Sequence, residues 1–208
     1  GSFEVGLLSV VSVAERQRAL ERQGAGPHRV QLRHLLGDRT AAADLARLDL
    51  DRYRTLVVVA GDILRSRHES DARALACCLH LRGLLEGRRE HPTILAEMLH
   101  VDNAALLEDG PEETLVSPRI ITHILSQVGL RRELGGIFDL LLGPGGVEIR
   151  LLPLAHEGAS FGRLRAAAQL RGEVALGLMI DGEPLFNPAS DTAVPAGADH
   201  NLIVLQKI

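Results

Sequence analysis

The stretch TILAEMLHVDNAALLEDGPEETLVSPRIITHILSQ, residues 93–127, decides the fold of this chain. It opens with a short apolar run that carries one acidic residue, Glu97, and this pattern predicts a buried strand over Thr93–Leu99. A helix over Asn103–Leu107 and a second strand over Thr114–Val116 follow. Strands that alternate with helices are typical of an α/β domain with a parallel sheet. The apolar helix after the last of these strands is expected to lead into a second module.

The same alternation extends toward the amino terminus. Strands are predicted over Phe3–Val13, His28–Leu35 and Tyr53–Ala60, and helices over Ala14–Gln23, Ala41–Leu48 and Ser70–Leu85, the last capped by Ser70 or Asp71. The continuous run YRTLVVVA at residues 53–60 indicates a strand that is buried on both faces of a parallel sheet. The fold class predicted for this part is therefore a doubly wound, Rossmann-like parallel sheet.

Two apolar helices follow the sheet. Ser117 followed by Pro118 is a typical helix start, and a second helix is predicted over Leu134–Leu142 after a break near Gly129. These helices could simply complete their own domain, but two in series between domains favour a dimerisation interface. The predicted interface residues are Ile120, Ile121, Ile124, Leu125, Val128, Leu134, Ile137, Phe138 and Leu141.

The remaining residues predict a small α+β unit. Its elements are strands over Val147–Leu154, Glu173–Ile180, Pro184–Phe186 and Asn201–Gln206, a helix over Phe161–Gln169 and a hairpin turn at Asp181-Gly182. The expected domain boundaries place a sheet lobe at residues 1–117, the connecting helices at 118–143 and this second lobe at 144–208.

Composition excludes several functions. Hydrophobic residues make up 46% of the 208 residues and aromatic residues only 2%, so the core is aliphatic and offers few rings on which bases or sugars could stack. The net charge of -4 disfavours a nucleic-acid partner. No apolar run is long enough to span a membrane, and no signal peptide is expected. Adjacent Cys77 and Cys78 point apart on a helix and have no metal-binding spacing, so they are expected to be buried thiols of a cytosolic protein.

The sequence carries no catalytic or dinucleotide-binding motif. A dinucleotide-binding turn needs the pattern G-x-G-x-x-G between a strand and a helix, and none is found at such a place. The nine histidines form no metalloprotease motif, and Ser160 lies in no nucleophile elbow. An enzymatic function is therefore not expected.

Acidic residues do gather where the predicted strands end. Asp62 follows the strand at residues 53–60, Asp71 lies at the start of the next helix, and Glu97 lies near the end of the neighbouring strand. Because the carboxyl ends of parallel strands form the binding crevice of such sheets, these carboxylates could hold Ca²⁺. The structural alternative is that Asp71 caps a helix and that Glu97 pairs with an arginine.

Several motifs together resemble one family, the RCK domain (regulator of K⁺ conductance). They are ESDAR (69–73), ILAE (94–97), VDNAALLEDG (101–110), TLVSPRIITHIL (114–125), GLMIDGEPLFNP (177–188) and VPAGADHNLIVL (194–205). Within that family the chain resembles the CASTOR/POLLUX ion channels most, on EVGLLSVV (4–11), DARALACCLHLR (71–82) and LRRELGGIFDLLLG (130–143).

The resemblance implies a Rossmann-like RCK lobe, from which the first strand and the glycine-rich loop are absent, then helices that pair RCK domains into a gating ring, and a C-terminal lobe. It implies a cytosolic domain of a membrane protein that couples ligand binding to the gating of a pore. In calcium-gated relatives one Ca²⁺ site uses acids that Asp71 and Glu97 match, whereas Leu99 replaces the third. The alternative is a TrkA-like regulatory subunit of a potassium transporter.

Overall fold

The computed structural model describes residues 3–22, 30–61, 66–88, 91–107, 110, 112–143, 146–154, 158–195 and 200–207. The chain divides into two compact units, residues 1–123 and 124–208. Each unit is described by itself.

The first unit alternates strands with helices. Its strands are β1 (Phe3–Ser9), β2 (Val30–Leu36), β3 (Thr55–Val58), β4 (Thr93–Met98) and β5 (Glu112–Val116). Its helices are α1 (Val13–Arg22), α2 (Ala42–Ala46), α3 (Arg67–Leu85) and α4 (Val101–Ala104), with 3-10 turns at Leu50–Arg52 and Ala105–Leu107. Helix α5 (Ser117–Leu130) begins in this unit and continues into the second.

The strand pairs in the described part of the first unit are all parallel. β1 pairs with β2, and separately β3 pairs with β4 and β4 with β5. The predicted α/β fold with parallel strands is confirmed, but the strands form two sheets where one continuous sheet was expected. The break lies between β1 and β3, which are not hydrogen-bonded to each other.

The core of the first unit is aliphatic, as the composition predicts. Helix α3 contributes Ala74 and Cys78, which are completely buried, and β4 contributes Ala96 and Met98. Burial on β4 alternates with position, so Ile94, Ala96 and Met98 share one covered face. Strand β3 differs from the prediction, because Val57 is 59% exposed where burial on both faces was expected.

Strand β1 is shorter than the predicted Phe3–Val13. It ends at Ser9, whose hydroxyl accepts a hydrogen bond from the Val11 N–H at 3.1 Å and so turns the chain. Ser12 and Glu15 then form a capping box at the start of α1: the Glu15 N–H donates to the Ser12 hydroxyl oxygen, and the Ser12 N–H donates to the Glu15 carboxylate, each at 3.3 Å. These polar bonds outweigh the strand preference of the valines around them.

The second unit holds one antiparallel sheet. Its strands β6 (Val147–Pro153), β7 (Val174–Ile180), β8 (Glu183–Phe186) and β9 (Asn201–Lys207) have the order β6-β9-β7-β8, and its helices are α6 (Leu134–Leu142) and α7 (Phe161–Leu170). Helix α7 packs Phe161 and Ala168 against one face of the sheet. The predicted turn at Asp181-Gly182 has φ of 50° and 81°, as a two-residue type I′ hairpin requires.

Candidate functional site

Glu97 connects three elements at the carboxyl end of the sheet β3-β4-β5. Its Oε2 accepts a hydrogen bond at 2.8 Å from the N–H of Ala60, which follows β3. Its Oε1 accepts one at 2.5 Å from the hydroxyl of Ser117, the first residue of α5. The half-buried carboxylate therefore links the end of one strand to the start of the helix that leads into the second unit.

Asp71 lies in the same region but accepts hydrogen bonds from a different set of donors. It is completely buried in α3, and its carboxylate accepts hydrogen bonds from the Leu99 N–H at 2.8 Å, the His100 N–H at 3.1 Å and Asn103 Nδ2 at 2.7 Å. His100 is the residue before α4, so Asp71 satisfies free N–H groups at the start of that helix. Asp71 was expected, with Ser70, as an alternative cap of α3, but α3 begins earlier, at Arg67, and Asp71 instead serves the start of α4.

The segment after β3 is anchored on both sides. The Ala60 N–H bonds to Glu97, and the neighbouring Gly61 N–H donates to the Ser70 hydroxyl oxygen at 2.8 Å. Close by, the rings of His68 and His100 are stacked, with centroids 4.3 Å apart and planes 6° apart. Backbone amides, a hydroxyl and a carboxylate are thus held together at the strand ends.

An ion pair links α3 to the loop after β2. Asp38 accepts hydrogen bonds from the Thr40 N–H and hydroxyl, both at 2.8 Å, and from Arg73 Nη2 at 3.0 Å. These donors, with the Thr40 N–H as the largest contribution, lower the pKa of the Asp38 carboxyl below its usual value. The loop is therefore fixed to α3 by charge and hydrogen bonds.

The carboxylates of Asp71 and Glu97 differ in the number of lone pairs that remain free to bind a cation. A carboxylate offers about four lone-pair directions, of which Asp71 uses three and Glu97 two. Asp71 is also closed to solvent. Asp62, the third predicted ligand, lies outside the described residues. Within the described ranges no group of three or more His, Cys, Asp or Glu side chains is arranged to hold a metal, and the Ca²⁺ site stays a prediction.

Helices α5 and α6 present apolar side chains to solvent. Neither helix has a buried residue. Of the nine residues predicted for the interface, Ile120, Ile121, Leu125, Ile137 and Leu141 are exposed, and Ile124, Val128, Leu134 and Phe138 are half-buried. Single exposed apolar residues are ordinary, whereas this many on two successive helices is unusual, and the interface stays a prediction.

Sequence reasoning missed several of the residues that the structure brings together. The sequence predicts Ser117 as a helix start but not as a partner of Glu97, and Leu130, Leu140 and Leu142, outside the predicted interface set, are also strongly exposed. The Ala60 N–H leaves no trace in the sequence, because any residue supplies a backbone donor.

Comparisons with known proteins agree with the fold. No family model matches the chain. It is 30% identical over 171 residues to the probable ion channel POLLUX of Oryza sativa subsp. japonica, a match that covers 79% of this chain and 17% of that protein. It is 36% identical over 104 residues to the ion channel DMI1 of Medicago truncatula, which covers 49% of this chain and 11% of that protein.

The fold matches part of a solved gating ring. The structure of the human SLO3 gating ring superposes with a TM-score of 0.69 and 11% identity over 97% of this chain and 39% of that one. In the described part of the chain, no helix has the length and apolar character needed to cross a bilayer. Because its relatives in sequence are ion channels, the expectation that the chain is not an enzyme is confirmed. The chain is a homologue of the CASTOR/POLLUX ion channels and has the fold of an RCK gating-ring domain.

Proposed function

We propose that this chain is the ligand-sensing regulatory domain of a CASTOR/POLLUX-like ion channel. It lies on the cytosolic side of the membrane, assembles with further copies into a gating ring, and transmits ligand binding to a pore elsewhere in the full-length protein. The homology to ion channels and the gating-ring fold support this role, and the match to only 17% of the rice channel is consistent with one domain of a longer protein.

The observation that carries the proposal is the bridge made by Glu97. The carboxylate holds the end of β3 through Ala60 and the start of α5 through Ser117. Helix α5 continues into the second unit and exposes apolar residues. A structural change at the carboxyl ends of the strands can therefore shift α5, whose exposed apolar residues can pair with another copy. Ligand binding can shift such a ring only if it favours one arrangement of α5 over another.

The bridge is tested by a double-mutant cycle. Glu97→Ala and Ser117→Ala each remove one side of a short hydrogen bond to a charged group, a bond that contributes about 1.5 kcal/mol. We expect the double variant to be less destabilised than the sum of the single variants by about that amount, measured by urea unfolding. If the destabilisations of the two single variants added exactly, Glu97 and α5 would not be energetically coupled. The proposed transmission from the strand ends to α5 would then be wrong.

Ca²⁺ is the first ligand to test, because the resemblance implies it and because Glu97 has free lone pairs. We expect heat in calorimetry and a thermal shift with millimolar Ca²⁺, which Glu97→Gln abolishes. The matched control is Glu113→Gln, which changes an exposed acid on the neighbouring strand β5 and should leave binding intact. The absence of heat and of a thermal shift with the unaltered chain would exclude Ca²⁺ as the ligand. That result would not affect the proposed Glu97 bridge or the proposed assembly, which have their own tests.

A further inference from the structure

The antiparallel sheet of the second unit ends at β8 on one side, and this edge is protected. Strand β8 has four residues, one of which is Pro184. The Asn187 N–H donates to the Leu176 carbonyl oxygen at 2.8 Å, so by the alternation of an antiparallel ladder the peptide groups of Pro184 and Phe186 point away from β7. Because proline has no N–H, this edge lacks a donor that a further strand would need.

The other edge is β6, seven residues long, with proline only at its last position. The Leu154 N–H donates to the His200 carbonyl oxygen at 3.0 Å, in the register that also pairs β6 with β9. Every second residue before Leu154 therefore faces β9, and the N–H and carbonyl groups of Val147, Ile149 and Leu151 point outward. No described strand pairs with these groups.

The middle of β6 is open to solvent on both faces. Residues 148–151 are all exposed, and the apolar Ile149 and Leu151 are 64% and 49% exposed. Leu152 packs with Phe161 of α7, so even-numbered residues of β6 lie on the α7 side of the sheet and odd-numbered residues on the other side. The outward-pointing backbone groups thus run beside an uncovered apolar stripe.

Two opposite charges lie along this edge. Glu148 and Arg150 are exposed, two residues apart and on the same face, and Arg150 donates to the amide oxygen of Gln206 at 2.6 Å. Charges of one sign protect an edge strand because they repel a second copy of it. An acid and a base two positions apart are instead complementary to the same strand running in the opposite direction.

We propose that β6 pairs with β6 of a second copy of this chain, antiparallel, about a two-fold axis at Ile149. The pairing joins the two four-stranded sheets into one continuous sheet with about six new backbone hydrogen bonds. The contact is isologous, since the same edge serves both copies. It is a different surface from α5 and α6, and it does not rest on the proposed function.

The charges select the register. With Ile149 opposite Ile149 of the other copy, the outward-facing Val147 and Leu151 exchange hydrogen bonds across the axis. Glu148 and Arg150 then form pairs without backbone bonds, in which Cα atoms approach to about 4.5 Å and the side chains meet. Centring the pairing one residue earlier places Glu148 opposite Glu148, and one residue later places Arg150 opposite Arg150, and both arrangements are destabilised by like charges.

Cross-linking tests the contact in the full chain. Ile149→Cys places one thiol of each copy at the proposed axis, while Cys77 and Cys78 are buried. We expect a short bismaleimide to give a covalent dimer on a denaturing gel. Leu170→Cys, at a position on α7 that is 91% exposed, is the matched control and should give much less. Adding Ile124→Asp, on α5, should leave the Ile149→Cys dimer in place, which separates this contact from pairing through α5 and α6.

Charge reversal tests the register, with sedimentation in the Ile124→Asp background as the assay. Arg150→Glu places two acids opposite each other and Glu148→Arg places two arginines there, so each should weaken dimerisation at least about tenfold. Combining both substitutions in one chain exchanges the charges and should restore it. An equal mixture of the two single variants should form mixed dimers, because each then meets the opposite charge.

A covalent dimer no more abundant with Ile149→Cys than with Leu170→Cys would overturn the proposal. Single charge reversals without effect would overturn it as well. Circular dichroism checks that each single variant is folded. If folded single variants neither dimerise alone nor pair in the mixture, the proposed register is wrong and the proposal fails.

Discussion

Replacing Asp71 by asparagine tests the reading of this residue as the clamp between α3 and α4. The carboxylate is completely buried and accepts bonds from the Leu99 N–H, the His100 N–H and the Asn103 side chain. Asparagine has the same shape but only one acceptor oxygen, so its amide group must face a donor that Asp71 now satisfies. A buried donor left unpaired costs about 1 to 3 kcal/mol, and the loss of the charge weakens the remaining bonds.

We therefore expect Asp71→Asn to lower the free energy of unfolding by about 2 to 4 kcal/mol. For a chain of this size that corresponds to a melting temperature lower by roughly 4 to 16 °C. Asp71→Ala removes all three acceptors and should cost more. The assay is urea unfolding followed by circular dichroism, in which the midpoint shifts while the slope stays constant.

Asp49→Asn is the matched control, since Asp49 is exposed and its side chain caps no helix. Its effect should stay within about 0.5 kcal/mol. If Asp71→Asn changed the free energy of unfolding as little as Asp49→Asn, the carboxylate would not be needed at the start of α4. The interpretation of Asp71 as a structural clamp would then be wrong. It would then be free to act as the cation ligand predicted from the sequence.

The remaining predictions concern titration and reactivity. Because the pKa of Asp38 is lowered in the folded state, its contribution to stability is present above the usual carboxyl value of 3.8 and is lost as the pH falls through the lower, folded value. Asp38→Asn should therefore be less stable than the unaltered chain at pH 7, with a difference in unfolding midpoint that shrinks below about pH 4; a difference independent of pH would contradict this. Burial raises the pKa of Cys77 to about 11 and that of Cys78 to about 12, so neither thiol should react with iodoacetamide at pH 8 until urea unfolds the chain.

Much of the fold followed from periodicity and turn chemistry. The apolar run at residues 53–60 correctly indicated a parallel strand, and Asp181-Gly182 correctly indicated a tight hairpin. The end of β1 did not follow, because valines on both sides of Ser12 suggested a longer strand while the Ser12–Glu15 capping box started a helix. The capping pattern was visible in the sequence and should outweigh strand preference at such a junction.

The site was only partly accessible to sequence reasoning. Charge and position pointed to Asp71 and Glu97, but their roles depend on which donors the fold brings to them. Glu97 finds a backbone N–H and a hydroxyl where an arginine was one expectation, and Asp71 serves a helix that lies 30 residues later in the chain. Contacts between residues that are distant in sequence carry no local pattern, so the sequence alone could not distinguish a ligand site from a structural clamp.

Assembly through α5 and α6 is the central claim, and the mass of the chain in solution tests it most directly. Light scattering of the unaltered chain should give a multiple of 22.4 kDa, because two helices without a buried residue need a partner surface. Ile124→Asp and Phe138→Asp place charges on these helices and should each shift the mass toward 22.4 kDa. Leu170→Asp, at a strongly exposed position on α7, is the control and should not. A monomer for the unaltered chain at tens of micromolar, or an unchanged mass for both helix variants, would contradict the account.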